Sequence, residues 1–295
     1  MKSIFIPVDF SEQSLLSCKF AFHAFGNEEI KITFFHSYFD QLALAESHLT
    51  TDLEPNMIGL MDERIFTDLK ENSEKELQNL KDETLLMAKA MNLKNISIET
   101  KTEGGLPFNE VLHNLKKGNY DLIIVGSKKD HQNRVGGNNF QARLINKSMI
   151  PVVVVPPEYT GESVSNIIYL TEFNIVDIEN IYLLDKFFPN QEQNIHIIHF
   201  VEVKTENSDE KMNSLKHAFI ENKINTRLKF SIQNESNVIG CLEQFIAEEK
   251  VSFIAFMPHK NSFGHLFEHK LVNKKKLLHL SVPIISIPMD KKASN

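Results

Sequence analysis

The residues of this chain best suited to chemistry lie in two short acidic turns. A histidine follows each turn at the same distance. Asp9 lies in the segment Ile-Phe-Ile-Pro-Val-Asp-Phe-Ser of residues 4–11, and His36 ends an apolar run 27 positions after Asp9. Glu172 lies in a similar segment, and His199 follows it by the same 27 positions. A carboxylate and an imidazole at strand ends can bind polar ligands. Their recurrence at one spacing predicts that the chain contains two copies of one unit.

Apolar strands and amphipathic helices alternate around these turns. Leu122–Val125 and Val152–Val155 are continuous apolar runs, which is typical of strands buried on both faces of a parallel sheet. The alternation predicts an α/β fold with two repeated doubly wound domains, each with a five-stranded parallel sheet. Ligands of such sheets bind beyond the carboxyl ends of the strands. Asp9, His36 and Gly126 would therefore line one crevice.

The predicted elements of the first half are bounded by recognisable signals. Ser11 is expected to cap a helix that Gly26 ends, and Pro107 is expected to begin another helix. Residues 38–62 have weak periodicity and no counterpart in the second half, and we interpret them as a lid or a packing arm. They precede a helix predicted from about Glu63 to Met91. The other predicted elements are strands at 3–8, 30–36 and 95–101 and a helix at 139–148 in the first half, and a helix at 208–221 in the second.

Composition places the chain among ordinary soluble globular proteins. It has 295 residues, 42% of them hydrophobic and 24% charged, and a net charge of −7, which argues against a nucleic-acid partner. A polar stretch near 156–165 predicts two domains, residues 1–158 and 163–290. No run is apolar enough for a membrane span, and Met1 leads directly into a strand. With Cys18 and Cys241 expected as buried free thiols, we predict a reducing, cytoplasmic location.

At these motifs the chain resembles the universal stress protein family, specifically its tandem type with two domains in one polypeptide. The matching elements are Pro7-Val-Asp-Phe-Ser11, Phe35-His36, Val125-Gly-Ser-Lys128 and the strand beginning at Pro151. The resemblance implies an adenine-nucleotide α-hydrolase-like fold and a role in stress resistance. It also implies pseudo-symmetric pairing of the domains through Val152–Val155 and Ile284–Ile287 and allows a further homodimer. Some members bind ATP or AMP and others do not.

Members that bind nucleotide carry Gly-x2-Gly-x9-Gly-(Ser/Thr) after the fourth strand, where glycine backbone N–H groups can close around phosphate. Gly126 matches the first glycine, but Lys129 replaces the second, and the loop is one residue short. It either retains the site in a shifted register, using Gly136 and Gly137, or is an ordinary charged surface loop. Asp9 likewise either contacts adenosine or only stabilises its turn. Lys128 and Lys129 could neutralise phosphate as point charges. The candidate nucleotide-binding residues are Pro7, Val8, Asp9, Ser37, Gly126, Lys128, Lys129, Asn138, Asn139 and Phe140.

The second half lacks every feature of that loop. Met257 and Pro258 replace Gly126 and Ser127, and Glu172 replaces Asp9. Lys260, Lys270 and Leu271 stand at the remaining loop positions. We therefore expect no nucleotide in this half. His259, His265 and His269 cluster without the carboxylates or thiolates of a metal site, and no metal is predicted.

These patterns leave three function hypotheses. The first is a stress-response binding or regulatory protein, not an enzyme, whose first domain binds an adenine nucleotide weakly. The second is a slow ATP-hydrolysing switch that uses the first domain. The third is a protein-interaction scaffold without a small ligand. No catalytic residue is predicted.

Overall fold

The computed structural model divides the chain into two compact units, Met1–Val125 and Gly126–Asn295. It describes residues 1–38, 55–127, 140–161, 164–173, 176–188, 194–201, 203–221, 227–234, 237–258 and 277–288; at 55–65 and 220–221 only the backbone is described. The predicted domain boundary between residues 158 and 163 was placed from the sequence repeat, whereas the two units are defined by how the chain packs. It remains a prediction.

The first unit is a parallel sheet with helices between its strands. Its elements in chain order are β1 (Lys2–Pro7), α1 (Glu12–Phe25), β2 (Ile30–Ser37), α2 (Pro55–Ala90), β3 (Ile96–Glu103), α3 (Pro107–Lys117) and β4 (Leu122–Gly126), whose last residue opens the second unit. The strand order is β3-β2-β1-β4, and all three pairings are parallel. The β1 residues Ile4, Phe5 and Ile6 are fully buried, as a central strand of such a sheet requires.

The second unit contains the remaining elements. They are α4 (Phe140–Lys147), β5 (Val152–Val155), β6 (Asn166–Leu170), α5 (Val176–Phe187), β7 (Asn194–Val201), α6 (Glu206–Glu221), β8 (Arg227–Asn234), α7 (Val238–Glu249), β9 (Val251–Phe256) and β10 (Ile284–Ser286). The strand order is β5-β10-β9-β6-β7-β8. All pairings are parallel except β5 with β10, where Ile284, Ile285 and Ser286 lie antiparallel to Val154, Val153 and Val152.

The two units use the same strand register at their centres. Ile6 pairs with Phe34 between β1 and β2, and Tyr169 pairs with Ile197 between β6 and β7. Both pairs are related by the shift that relates Asp9 to Glu172. The prediction of an α/β fold with a mostly parallel sheet is confirmed.

Helix α2 corrects the predicted start of the long helix. It begins at Pro55 rather than near Glu63 and has 36 residues. A proline is well suited to a first helical turn because its missing N–H would be unpaired there anyway. Residues 55–62 are therefore helical. The interpretation of residues 38–62 as a lid or a packing arm stays a prediction, and residues 39–54 lie outside the described part of the chain.

Helix α1 corrects two details of its predicted ends. Ser11 occupies the N-cap position with an extended backbone, but its side chain makes no capping hydrogen bond, and its hydroxyl donates to Asp9. Gly26 ends the helix with right-handed φ and ψ of −61° and −16° rather than in the left-handed region. The reason for glycine here is space, since a Cβ would lie 2.4 Å from the Phe22 carbonyl oxygen.

Candidate functional site

The turn that follows β1 holds Asp9 at the carboxyl end of the strand. Phe10 has a φ of +59°, a left-handed conformation that costs a non-glycine residue roughly 1 kcal/mol. The Asp9 carboxylate accepts hydrogen bonds from the Ser11 backbone N–H at 3.1 Å and from the Ser11 hydroxyl. Asp9 therefore makes the turn contacts expected of it, while its side chain stays exposed to solvent.

His36 ties the end of β2 to this turn. Its Nδ1 donates to the Val8 carbonyl oxygen at 2.9 Å, and its ring lies 4.3 Å from the Phe10 ring, centroid to centroid. The imidazole is 7% exposed. A buried ring that both bonds the strand end and packs on Phe10 stabilises the left-handed residue, so His36 acts as a support for the Asp9 turn.

The second unit repeats this arrangement. Phe173 has a φ of +60°, the His199 Nδ1 donates to the Thr171 carbonyl oxygen at 2.7 Å, and the two rings are 4.0 Å apart. Burial lowers the pKa of His199 below its ordinary value, although its bond to Thr171 acts in the opposite direction. The equal sequence spacing of acid and histidine therefore reflects a repeated local geometry.

Ser37 and two glycines extend the rim of the first unit. The Ser37 hydroxyl donates to the Gly105 carbonyl oxygen, which joins the end of β2 to the loop after β3. Gly105 has a φ of +144°, and a Cβ on Gly104 would lie 2.7 Å from the Tyr38 hydroxyl. Sequence reasoning missed this loop; the paired glycines just before Pro107 were the available signal.

Four of the predicted site residues share one edge of the first unit. Pro7, Val8 and Asp9 follow one another at the end of β1, and Pro7 pairs with Phe35, two residues before Ser37. Parallel neighbours end at the same edge of a sheet, so these residues lie together at the carboxyl end.

Gly126 and Phe140 belong to the second unit, and each lies at the end of a strand or helix. Gly126 is the last residue of β4, and its carbonyl oxygen accepts a hydrogen bond from the Gln141 side chain at 2.8 Å. Phe140 begins α4. The other predicted loop residues, Lys128, Lys129, Asn138 and Asn139, lie outside the described part of the chain.

The position after β9 that corresponds to Gly126 holds a buried methionine. Met257 is 7% exposed and is followed by Pro258, which has no backbone N–H to donate. Lys260, Lys270, Leu271 and the three clustered histidines fall outside the described residues. Within the described ranges, no group of three or more histidines, cysteines and acidic residues could hold a metal ion.

A buried polar cluster lies beneath the turn of the second unit and was missed by sequence reasoning. Asp177 accepts hydrogen bonds from the Tyr169 hydroxyl at 2.7 Å and the Thr171 hydroxyl at 2.5 Å. Asn180 donates to the Tyr169 oxygen at 3.1 Å, and Phe173 N–H donates to the Thr171 oxygen at 2.9 Å. The signal was present, because Tyr169 lies within the otherwise apolar run of residues 167–170 and Thr171 directly follows it.

Solved structures share this fold. A universal stress protein from Archaeoglobus fulgidus has a TM-score of 0.67 at 14% identity, over 98% of this chain and 97% of that one. A candidate universal stress protein from Pseudomonas aeruginosa has a TM-score of 0.53 at 11% identity, over 100% and 95% of the two chains. At these identities the likeness concerns the fold alone.

Comparison of the sequence itself identifies the family. A search of curated proteins found no match. In the described part of the chain, no helix has the length and apolar character needed to cross a membrane. The model of the universal stress protein family matches residues 1–156, more than half of the 295 residues, and the chain therefore belongs to the universal stress protein family.

Proposed function

We propose that the protein is a tandem universal stress protein whose first half binds an adenine nucleotide, ATP or AMP, weakly and whose second half does not. It acts as a cytoplasmic binding or regulatory protein in the stress response, without catalysis. The observation that carries this proposal is that the Asp9 and Glu172 turns have the same geometry, whereas the residues that follow β4 and β9 differ.

The tandem assignment is supported by contacts that occur twice. Each half has a left-handed phenylalanine packed on a histidine whose Nδ1 bonds the strand before the turn. The antiparallel pairing of β5 with β10 supports a pseudo-twofold relation between the halves, because a strand paired with its own equivalent about a twofold axis runs antiparallel.

Nucleotide binding in the first half is supported by an exposed carboxylate on a turn that hydrogen bonds hold in place. Asp9 faces solvent at the carboxyl end of β1, the edge where parallel α/β sheets bind ligands. In this proposal the residues around Asp9 and Ser37 contact adenosine. Gly126, Lys128, Lys129, Asn138, Asn139 and the start of α4 at Phe140 contact phosphate, since a helix N-terminus and lysines both favour an anion.

The second half is proposed to be a structural partner. Pro258 removes an N–H that phosphate binding would use, and the Met257 side chain occupies a position that is glycine in the first half. Glu172 adds a methylene where the first half has Asp9. Each change acts against a nucleotide in the mode proposed for the first half.

Calorimetric titration of the full chain with ATP and AMP tests the proposal. We expect binding with a dissociation constant between micromolar and millimolar and no release of phosphate from ATP. Gly126→Val places a side chain where phosphate would lie and should abolish binding, while valine suits the end of a strand. Met257→Val, at the equivalent position of the second half, is the matched control and should bind ATP like the unchanged protein.

Each outcome of this titration has a defined meaning. Absence of heat or thermal stabilisation at millimolar ATP and AMP would refute nucleotide binding and leave the interaction scaffold. Binding that survives Gly126→Val would contradict the phosphate placement. Steady phosphate release, lost in Gly126→Val, would replace the binding protein by the ATP-hydrolysing switch.

A further inference from the structure

We propose that Gln141 is a positioning residue for the phosphate end of the nucleotide site, because its side chain fastens the first turn of α4 to the end of β4. The amide Nε2 donates to the Gly126 carbonyl oxygen at 2.8 Å. Gly126 ends β4, and Gln141 is the second residue of α4. This role presupposes the nucleotide binding proposed above, and Gln141 takes part in it without contacting the nucleotide.

The sheet fixes the strand side of this bond. The Ser127 N–H donates to the Val155 carbonyl oxygen at 2.8 Å, so the chain stays hydrogen-bonded to the last residue of β5 one position after β4 ends. Ser127 is buried. The Gly126 carbonyl oxygen therefore has a defined position at the carboxyl end of β4.

The helix side of the bond has less support from packing. Helix α4 has eight residues, and its buried side chains, Leu144 and Ile145, lie in its second half. Residues 140–143 are only half-buried. So short a helix is marginal in isolation, and the N–H groups of its first turn have no partners within the helix. The bond from Gln141 ties this turn to a strand end that the sheet already holds.

The chemistry of the bond fixes which end of the Gln141 amide faces the strand. A carbonyl oxygen accepts hydrogen bonds and never donates them, so the amide nitrogen must point to Gly126. The bond also covers the partial negative charge of the Gly126 carbonyl oxygen. An uncovered carbonyl oxygen beside a phosphate would repel it, so this contact favours an anion at the strand end.

Side-chain donors cover strand-end carbonyl oxygens elsewhere in the chain as well. His36 donates to the Val8 carbonyl oxygen, and His199 donates to the Thr171 carbonyl oxygen. Those two bonds occur in both halves and brace the acidic turns. Gln141 differs because it connects a strand end to the helix whose start is proposed to meet phosphate.

The position of the first turn of α4 matters because its unbonded N–H groups carry partial positive charge. Without the bond from Gln141, this turn frays more easily, and its N–H groups must be ordered again when phosphate binds. Affinity falls when a site has to order its donors on binding. Gln141 therefore contributes to phosphate affinity by holding the donors in place beforehand.

The second half lacks this pair of residues in its sequence. Met257 replaces Gly126, and alignment of Pro151 with Pro283 places Asn273 at the position of Gln141. An asparagine side chain is one methylene shorter than a glutamine side chain. The combination of Gly126 and Gln141 therefore belongs to the half that is proposed to bind nucleotide.

Titration of the full chain with ATP, AMP and adenosine tests this role. Gln141→Leu keeps a side chain of similar size that cannot donate. It should weaken the binding of ATP and AMP about fivefold, the effect of one neutral hydrogen bond, and change the affinity for adenosine by less than about twofold.

Two more variants sharpen the test. Gln141→Glu also cannot donate, since an ionised carboxylate only accepts, and it adds a negative charge near the proposed phosphate position. It should weaken ATP at least about tenfold and leave adenosine binding nearly unchanged. Gln244→Leu is the matched control, because Gln244 is an exposed glutamine of α7 that bonds Glu248; it should leave all three affinities unchanged.

The comparison of ATP with adenosine separates positioning from a general effect on the fold. A loss confined to ATP and AMP supports the role of Gln141. Unchanged ATP affinity in Gln141→Leu would refute that role and leave the proposed function intact. Equal weakening of all three ligands would also refute it, because the side chain would then act on overall stability. If the unchanged protein binds none of the three, the proposed function fails, and the role of Gln141 fails with it.

Discussion

Replacing Tyr169 by phenylalanine should destabilise the second unit far more than the removal of one oxygen atom suggests. The Tyr169 side chain is fully buried, and its hydroxyl donates to Asp177 at 2.7 Å and accepts from Asn180 at 3.1 Å. Burial and the nearby Asp177 carboxylate raise the pKa of Tyr169 well above its ordinary value, so the hydroxyl keeps its proton. Of the two hydroxyl donors described above for the buried Asp177 carboxylate, Tyr169→Phe leaves only that of Thr171.

The magnitude follows from the two hydrogen bonds that the Tyr169 hydroxyl makes. A hydrogen bond to a charged group contributes about 1.5–3 kcal/mol, and a buried donor left unpaired adds about 1 kcal/mol. We therefore expect the free energy of unfolding to fall by roughly 2–4 kcal/mol, measured by urea denaturation followed by circular dichroism. Tyr120→Phe is the matched control, because Tyr120 is half-buried and its hydroxyl has no hydrogen bond in the described structure; it should change stability by less than about 0.5 kcal/mol.

A second variant separates the network from a general packing effect. Tyr169→Phe combined with Asp177→Leu removes both partners and should cost less than the sum of the single changes, by about 1 kcal/mol or more. A Tyr169→Phe protein as stable as the control would refute the reasoning, as would strict additivity in the pair.

Two further predictions concern titration and thiol reactivity. Burial lowers the pKa of His196 and His199, so the unfolded chain binds protons more readily; stability is complete above the unfolded pKa of about 6.5 and is lost as pH falls below it. His199→Gln should make the urea denaturation midpoint depend less on pH between about pH 7 and 5.5. An unchanged pH dependence would contradict the assignment of this effect to His199. Burial raises the pKa of Cys18 to about 12, whereas Cys241 is less buried. A thiol reagent should modify Cys241 in the native protein and Cys18 only after unfolding; equal rates would be inconsistent with the packing around Cys18.

The sheet could be predicted because its central strands are continuous apolar runs. Leu122–Val125 and Val152–Val155 have no polar alternation, and only a two-sided burial explains such runs. The start of α2 could not be placed because residues 55–62 lack a clear apolar stripe, whereas Leu77, Leu80 and Ala88 further along are buried at helical spacing. Periodicity reports packing, and a helix can begin before its packed face does.

Only the part of the candidate site that shows as a regular sequence spacing could be predicted. The sequence shows the spacing of Asp9 and His36. Their connection through Phe10 depends on a left-handed φ at Phe10, which cannot be predicted from the sequence because phenylalanine rarely adopts it. The buried cluster around Asp177 was not predictable, because the contact of Asp177 with Tyr169 joins a helix to a strand and does not follow from sequence spacing.

The antiparallel contact of β5 with β10 has a consequence for how the protein responds to dilution. An equivalent contact between separate chains would depend on their concentration, whereas here both strands belong to one polypeptide. The cost of closing the intervening chain grows only with the logarithm of its length. The pairing therefore persists at any protein concentration at which the chain is folded. A cell could therefore keep this protein at low copy number and still retain the pairing of β5 with β10.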